Sequence, residues 1–272
     1  MEKFIEEYRF KLEQTTLKDI QYSIEQLLMH CNKSILDVNT RDIREWMNHM
    51  YNKGYAQTTV YRKFYRIKRF FQYCVEEGII INSPLQSLPV PKLPQQLPRY
   101  LTREQLTKLR QHVSGKLKER AVVEVLYATG VRVSELCRIK KEDINWSERS
   151  IQIRKGKGKR ERIVLFTKEC EEYLKAYLEN RQDILPFIFL NHAETGPTNS
   201  YGIQHFFRKY SKKLNFYVSP HMLRHTFAAH LAIKGMPLIH IQLLLGHEEP
   251  RNTQIYTLLY NEARKQMYDE WM

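Results

Sequence analysis

Four side chains that can take part in catalysis lie within forty residues near the carboxyl end of the chain: His221, Arg224, His247 and Tyr256. A guanidinium group matches the non-bridging oxygens of a phosphate and stays charged at any useful pH. A tyrosine hydroxyl can attack phosphorus, and a histidine can accept its proton or donate a hydrogen bond to the phosphate. These residue types therefore predict nucleophilic cleavage of a phosphodiester.

Helix ends and turns must position these four side chains. Arg224 lies three residues after His221, so both can project from one face of a helix. A second helix is predicted over residues 238–245, and Gly246 ends it, so that the next histidine lies on the following turn. A last short segment, opened by a proline, carries the tyrosine.

An upstream helix adds a further arginine. This helix is predicted over residues 116–128 and ends at Gly130, and Arg132 follows the break. Glu135 lies one helical turn after Arg132 and could brace its guanidinium. The same spacing fits an ordinary glutamate on a helix surface.

Residues 150–166 alternate in hydrophobicity around the sequence KGKGK, which predicts a β-hairpin with a basic turn. The glycines on both sides of Lys157 would let this lysine reach a bound phosphate from a mobile tip. Alternatively, the turn contacts phosphates without a defined role. Helices are predicted over 168–180 and 200–213, with a strand between them over 187–190.

The sequences HMLRH, LLGH and TQIY, together with YATGVRVSEL at 127–136, resemble the motifs of the tyrosine recombinases, the phage-integrase family. The order Arg, Lys, His-x-x-Arg, His, Tyr is matched throughout, and the resemblance covers residues 101–260 in detail. It implies the catalytic residues Arg132, Lys157, His221, Arg224, His247 and Tyr256. The choice of Lys157 over Lys155 and Lys159 rests on the resemblance. The chain is most similar to the compact Xer-like and transposon- or integron-type members.

The resemblance implies a site-specific recombinase that acts on double-stranded DNA at specific recombination sites. Tyr256 would attack a phosphate held by two arginines, His221 would take up the tyrosine proton, and Lys157 would protonate the leaving 5′ oxygen. The expected product is a 3′-phosphotyrosyl enzyme with a free 5′-hydroxyl, and a second DNA end can reverse this step without ATP. Strand exchange would pass through a Holliday junction in a homotetramer, and no metal or cofactor is expected.

Two other functions would use the same fold. A catalytically inactive DNA-binding regulator would keep the fold, although the complete set of catalytic residue types counts against it. An enzyme similar to type IB topoisomerases would relax DNA by the same chemistry as a monomer. Formation of a covalent DNA adduct would distinguish the recombinase from an inactive regulator. Strand exchange, as opposed to relaxation alone, would distinguish it from a topoisomerase-like enzyme.

A zinc site is a further alternative for the histidines. His221 and His225 are four residues apart and could bind zinc with His247. However, Arg224 beside them would repel a metal ion, and no carboxylate stands in an HExxH arrangement. We therefore interpret the remaining histidines of this region as packing or surface residues: His225, His230 and His240.

Composition also favours nucleic acid as the partner. The formal net charge is +14 and the isoelectric point is near 9.5, which points to a polyanion and to nucleic acid before membrane. No apolar run approaches the roughly 20 residues that a membrane span requires. The acidic start MEKFIEEY lacks the layout of a secretory signal, and the four scattered cysteines indicate reduced thiols. A cytoplasmic protein without a membrane partner is expected.

The first ninety residues are predicted to form four helices. The longest is predicted over 58–77 and carries an apolar stripe made of Val60, Phe64, Ile67 and Phe71. The opposite side carries Arg62, Arg66 and Arg69. In a chain this basic we favour phosphate contacts for these arginines over a merely solvated face. Further DNA contacts are predicted at Lys155, Lys159 and Arg160.

Five of the ten prolines fall between residues 84 and 98, which indicates an extended connector. The predicted domains are a helical core-binding domain at 1–88, a proline-rich linker at 89–99 and a catalytic domain at 100–272. The predicted fold class is mainly α with a small β-hairpin or sheet. Two such domains joined by a stiff basic segment could close around DNA as a clamp.

The segment after the tyrosine carries a second amphipathic pattern. Its apolar residues recur at steps of four: Leu259, Ala263, Met267 and Trp271. A helix this short needs a partner surface. The pattern fits docking on its own domain, and the family resemblance favours exchange of this tail with a neighbouring protomer.

Overall fold

The computed structural model describes residues 1–91, 97–154, 161–247 and 249–272. Within these residues the chain divides into two compact units, Met1–Gln95 and Gln96–Met272. The predicted fold class, mainly α with a small antiparallel sheet, is confirmed. No helix of the described ranges is long and apolar enough to span a bilayer.

The first unit contains four helices: α1 (Glu2–Tyr8), α2 (Gln14–Cys31), α3 (Thr40–Asn52) and α4 (Gln57–Glu76). The predicted stripe of α4 is its core face, because Val60, Phe64, Ile67 and Phe71 are fully buried. Asn39 starts α3 with a capping box, in which its side chain accepts hydrogen bonds from the first turn and its backbone N–H donates to the Asp42 carboxylate. Helices α2, α3 and α4 pack on one another around this core.

The second unit begins with three helices: α5 (Arg103–His112), α6 (Leu117–Thr129) and α7 (Val133–Leu136). The predicted capping box of Thr102 and Gln105 at the start of α5 is present. Helix α6 is buried almost throughout and packs against two later helices, so it forms the centre of this unit. It ends at Gly130, where φ is +62° and a Cβ atom would lie 2.4 Å from the Phe227 ring. Only glycine fits this turn, which leads directly to Arg132.

A 3₁₀ turn at Lys141–Asp143 leads into a three-stranded sheet: β1 (Ile144–Asn145), β2 (Ser150–Ile153) and β3 (Arg162–Leu165). The predicted hairpin is confirmed, with Ile151 opposite Val164 and Ile153 opposite Arg162. The strand predicted over 187–190 is wrong. Only two isolated bridges form there, Lys140 with Phe187 and Leu190 with Pro197, and the apolar side chains of residues 188–190 are buried in the core without forming a ladder.

Six helices complete the second unit: α8 (Lys168–Glu179), α9 (Ser200–Leu214), α10 (Pro220–Ile233), α11 (Leu238–Leu245), α12 (Arg251–Gln254) and α13 (Thr257–Trp271). Helix α10 packs against α6, α11 and α13. The amino-terminal half of α13 thus docks on its own chain, where Leu259 and Ala263 are buried. The end of α13 differs, because Trp271 is 89% exposed.

Candidate active site

The predicted catalytic residues come from separate segments of the second unit. Arg132 precedes α7, His221 and Arg224 lie near the start of α10, His247 follows α11, and Tyr256 separates α12 from α13. Electrostatic interactions link Arg132 to His221, Arg224 and His247, and link Arg224 to Tyr256. The structure therefore brings five of the six predicted catalytic residues together.

The start of α10 is fixed by two residues of the sequence SPH. The Ser219 hydroxyl caps the helix by accepting a hydrogen bond from the Met222 backbone N–H at 3.1 Å. Pro220 occupies the first helical position, where its missing N–H has no consequence. One turn of α10 then carries His221 and Arg224, as their spacing predicted.

Arg224 is only 6% exposed and is held by two main-chain carbonyls. Its Nη1 donates to the Gly130 carbonyl at 2.5 Å and its Nη2 to the Leu245 carbonyl at 2.7 Å. Burial and the neighbouring Arg132 lower the pKa of Arg224 to about 9, so the guanidinium stays charged at pH 7. Arg224 therefore joins the end of α6 to the end of α11 and places a fixed positive charge between them.

Glu135 makes the predicted contact with Arg132. Its carboxylate accepts hydrogen bonds from the Arg132 backbone N–H at 2.8 Å and from Arg132 Nη1 at 3.0 Å. It also accepts two from Arg162, at 2.9 and 2.8 Å. Burial alone would raise the pKa of Glu135, but the hydrogen bonds and charge of Arg162 and Arg132 lower it to about 2. The carboxylate is therefore ionised at neutral pH.

Tyr256 is 1% exposed, and its hydroxyl oxygen lies 2.6 Å from Nδ1 of His225. Burial raises the pKa of the Tyr256 hydroxyl, and Arg224 partly offsets this shift. Burial, His221 and Arg224 lower the pKa of His225 to about 4, so its ring is neutral at pH 7. In the tautomer with a bare Nδ1, the tyrosine donates and His225 accepts.

The interpretation of His225 as a packing or surface residue did not include this contact with Tyr256. His225 lies one turn beyond His221 on α10, and the chain brings Tyr256 back against that second turn. The exposed side chain of His221 lies nearer the surface, beside Arg132 and Arg224. The group in contact with the Tyr256 hydroxyl is thus His225.

His247 is oriented by a threonine that the sequence analysis did not single out. Its Nδ1 lies 2.9 Å from Oγ1 of Thr253, which is 2% exposed. Burial, Arg224 and Arg132 lower the pKa of His247 to about 4, so the ring is neutral at pH 7. When Thr253 donates to Nδ1, the ring proton sits on Nε2, the tautomer that can donate to a phosphate oxygen.

The remaining predicted residues fall into two groups. Four lie outside the described residues: Lys155, Lys157, Lys159 and Arg160. The other three are on the side of α4 away from its core, where Arg62 and Arg69 are exposed and Arg66 pairs with Asp19 of α2. The position of these arginines is as predicted, and their contact with DNA stays a prediction.

The sequence matches the family model of the phage integrase family over residues 99–263 and that of the phage integrase N-terminal SAM-like domain over residues 2–78. The chain belongs to the phage integrase family. The SAM-like model lies within the first unit and the integrase model within the second, so the chain is a tyrosine-type site-specific recombinase with a SAM-like unit and a catalytic unit.

Relatives within the family agree in sequence over most of the chain. The chain is 33% identical over 250 residues to the tyrosine recombinase XerC of Bacillus licheniformis, covering 87% of this chain and 82% of that protein. It is 34% identical over 223 residues to the tyrosine recombinase XerA of Pyrococcus furiosus, covering 80% and 75%.

The fold also agrees with a solved structure. The Tn1549 transposon integrase in complex with transposon right-end DNA matches with a TM-score of 0.79 over 99% of this chain and 98% of that one. At 21% sequence identity this likeness shows the fold alone.

Proposed function

We propose that this recombinase cleaves and rejoins double-stranded DNA at specific sites through a 3′-phosphotyrosyl intermediate. The observation that carries the proposal is the contact of the Tyr256 hydroxyl with His225 beside the buried Arg224. A nucleophile, a neutral base and a fixed cation thus lie next to one another, with Arg132 and His247 within electrostatic range.

The groups have separate roles in this mechanism. Arg132 and Arg224 bind the non-bridging oxygens of the phosphate, and His247 donates a further hydrogen bond, which offsets the charge that repels a nucleophile. The Tyr256 oxygen attacks phosphorus as its proton passes to Nδ1 of His225. The bond to the 5′ oxygen breaks, and Lys157 gives that oxygen a proton. A second DNA 5′-hydroxyl reverses these steps, so neither ATP nor a metal is required.

The assignment of His225 as proton acceptor modifies the expectation for His221. His225 is supported by its distance of 2.6 Å from the Tyr256 oxygen and by its neutral ring. A phosphate bound to Arg224 would raise the pKa of His225, because an anion stabilises the imidazolium. His221, exposed beside the arginines, would instead contact the phosphate.

The buried position of Tyr256 also bears on control of the reaction. A hydroxyl that is enclosed cannot reach phosphorus, so DNA binding must open the segment from α12 to the start of α13, and the Tyr256 hydroxyl must stay within hydrogen-bond reach of His225 as it does so. Two carbonyls hold Arg224 in place while this segment moves. We propose that the positive site is preformed and that the nucleophile is delivered to it.

DNA contacts from the first unit complete the proposed function. Arg62 and Arg69 are exposed on α4, and Arg66 would exchange Asp19 for a phosphate. Strand exchange would proceed through a Holliday junction within a homotetramer. The four cysteines are free thiols, which is in keeping with a cytoplasmic protein.

The decisive test is covalent capture on a nicked suicide substrate that carries the recombination site. We expect a denaturation-resistant protein–DNA adduct that forms in the presence of EDTA and without ATP. Absence of an adduct with full site binding would favour an inactive DNA-binding regulator. Relaxation of supercoiled DNA without strand exchange, by a monomer, would favour the topoisomerase-like alternative.

The role of Lys157 is tested with a substrate whose leaving group needs no proton. We expect Lys157→Ala to cleave ordinary DNA slowly, and to recover most of its rate on DNA with a 5′-bridging phosphorothiolate, because sulfur leaves as the thiolate. Lys155→Ala and Lys159→Ala serve as matched controls from the same turn. Equal defects of Lys157→Ala on both substrates would assign this lysine to phosphate binding instead.

A further inference from the structure

Three guanidinium groups meet at the carboxyl end of α11. Arg162 Nε donates to the Leu244 carbonyl at 3.1 Å, Arg224 Nη2 to the Leu245 carbonyl at 2.7 Å, and Arg132 Nη2 to the Gly246 carbonyl at 3.3 Å. The last carbonyls of a helix lack partners within the helix and carry the negative end of its dipole. This helix end thus holds together three cations that otherwise repel one another.

Arg162 differs from the other two arginines in its second partner. It forms a fork with Glu135, Nη1 to Oε1 at 2.9 Å and Nη2 to Oε2 at 2.8 Å. Arg132 shares the same carboxylate, with its Nη1 on Oε1 and its backbone N–H on Oε2. The Arg162 side chain is 9% exposed and that of Arg132 is 40% exposed. One carboxylate therefore balances a buried arginine and an accessible one.

The backbone at Gly246 is adapted to this arrangement. Its φ is +62°, and a Cβ atom there would lie 2.9 Å from Cδ and 3.0 Å from Nε of Arg162. The glycine lets the guanidinium of Arg162 lie directly against the turn that carries His247. The position of Arg162 is thus coupled to two predicted phosphate ligands, Arg132 through Glu135 and His247 through this turn.

We propose that Arg162 is a positioning residue that keeps Arg132 available for the scissile phosphate by occupying Glu135. With Arg162 in place, one side-chain N–H of Arg132 donates to Glu135 and one to the Gly246 carbonyl, which leaves the other N–H groups of its guanidinium to bind an anion. Without Arg162, the ionised carboxylate has Arg132 as its nearest cation and can take it as a two-pronged partner. Arg132 would then be neutralised and withdrawn from the phosphate. The proposal rests on the proposed function, which assigns Arg132 to the phosphate.

A double-variant comparison tests this proposal with the full chain. The rate of adduct formation on the suicide substrate is measured in a single turnover for wild type, Arg162→Ala, Glu135→Gln and the double variant. We expect Arg162→Ala to slow the reaction about 10- to 100-fold. The reason is that Arg132 then loses a hydrogen bond to the phosphate, and a hydrogen bond between charged groups contributes about that factor. The double variant should be faster than Arg162→Ala alone, because Glu135→Gln removes the charge that captures Arg132.

Arg181 provides a matched control. Its side chain is 6% exposed, it forms a fork with Asp183, and it donates to the carbonyls of Phe187 and Ile188. Arg181→Ala therefore removes the same kinds of interaction at a distance from the predicted catalytic residues. We expect it to lower the unfolding temperature as much as Arg162→Ala does, while adduct formation by the folded protein stays within a few fold of wild type.

Two results would overturn the positioning role. One is a cleavage defect of Arg162→Ala no larger than that of Arg181→Ala, and the other is a double variant no faster than Arg162→Ala. If the alanine variant does not fold, Arg162→Met, which removes the charge but keeps most of the side-chain volume, gives the same comparison with and without Glu135→Gln. A wild-type protein that forms no adduct would instead refute the proposed function, and the positioning role with it.

Discussion

Substitution of Tyr256 by phenylalanine is expected to abolish the covalent adduct and leave binding to the site within a few fold of wild type. The substitution removes only the hydroxyl group that contacts His225, so the attacking oxygen is missing while the ring is kept. The ring stays buried among the same apolar neighbours, so the free energy of unfolding should fall by only about 1 kcal/mol for the lost hydrogen bond. Adduct formation on the suicide substrate and gel-shift titration of the intact site measure the two effects.

Tyr127 supplies a matched control, because its hydroxyl also meets a histidine. It lies 3.0 Å from Nδ1 of His230, on the α6–α10 contact and away from the predicted catalytic residues. Tyr127→Phe should lose a similar hydrogen bond and still form the adduct. An adduct from Tyr256→Phe would mean that another residue is the nucleophile, and mapping the attached peptide would identify it.

Much of the catalytic unit could be predicted because its signals are local. The hairpin followed from alternation within one segment, and the glycines at 130 and 246 marked helix ends that need a positive φ. The one-turn spacing of His221 and Arg224 fixed their common face. Each of these features depends on residues within a few positions, where sequence and geometry are directly related.

The contacts that sequence reasoning missed join distant segments. The His225 contact with Tyr256 depends on how the turn after α12 folds back on α10, and no local pattern encodes that approach. Arg162 lies two residues before Val164, and the burial of Val164 in the structure shows that both side chains are on the inner face of β3. No sequence pattern marks Arg162, because the apolar residues that alternate in this strand, Ile163 and Leu165, are 63% and 58% exposed.

The exposed end of α13 bears on assembly. Leu259 and Ala263 are buried against the same chain, and Met267 reaches Gly235, since a Cβ there would lie 2.7 Å from its Cε. The residues after Met267 are not buried against the same chain: Tyr268 is 63% exposed, Trp271 is 89% exposed and Met272 is 88% exposed. Docking on the own chain therefore ends near Met267, and the last residues are the ones that a neighbouring protomer could bind.

We expect deletion of residues 268–272 to impair assembly of the two-duplex complex and recombination while leaving the monomer intact. The deletion removes exposed side chains only, so unfolding free energy should change by less than about 0.5 kcal/mol and single-site binding by less than a few fold. Loss of a tryptophan side chain that is buried against a partner typically weakens the binding free energy by about 2 kcal/mol or more. Trp271→Ala alone should then raise the protein concentration required for assembly at least about tenfold.

The comparison needs a control for the loss of any exposed aromatic side chain. Phe10 is 83% exposed in the first unit, and Phe10→Ala should assemble as wild type does. Deletion of residues 261–272 is a less specific variant, because it also removes the buried Ala263 and the contact of Met267 with Gly235. Sedimentation and gel shift on the recombination site resolve one-duplex from two-duplex complexes. A protein lacking 268–272 that forms two-duplex complexes at the wild-type concentration would show that the tail is not exchanged between protomers.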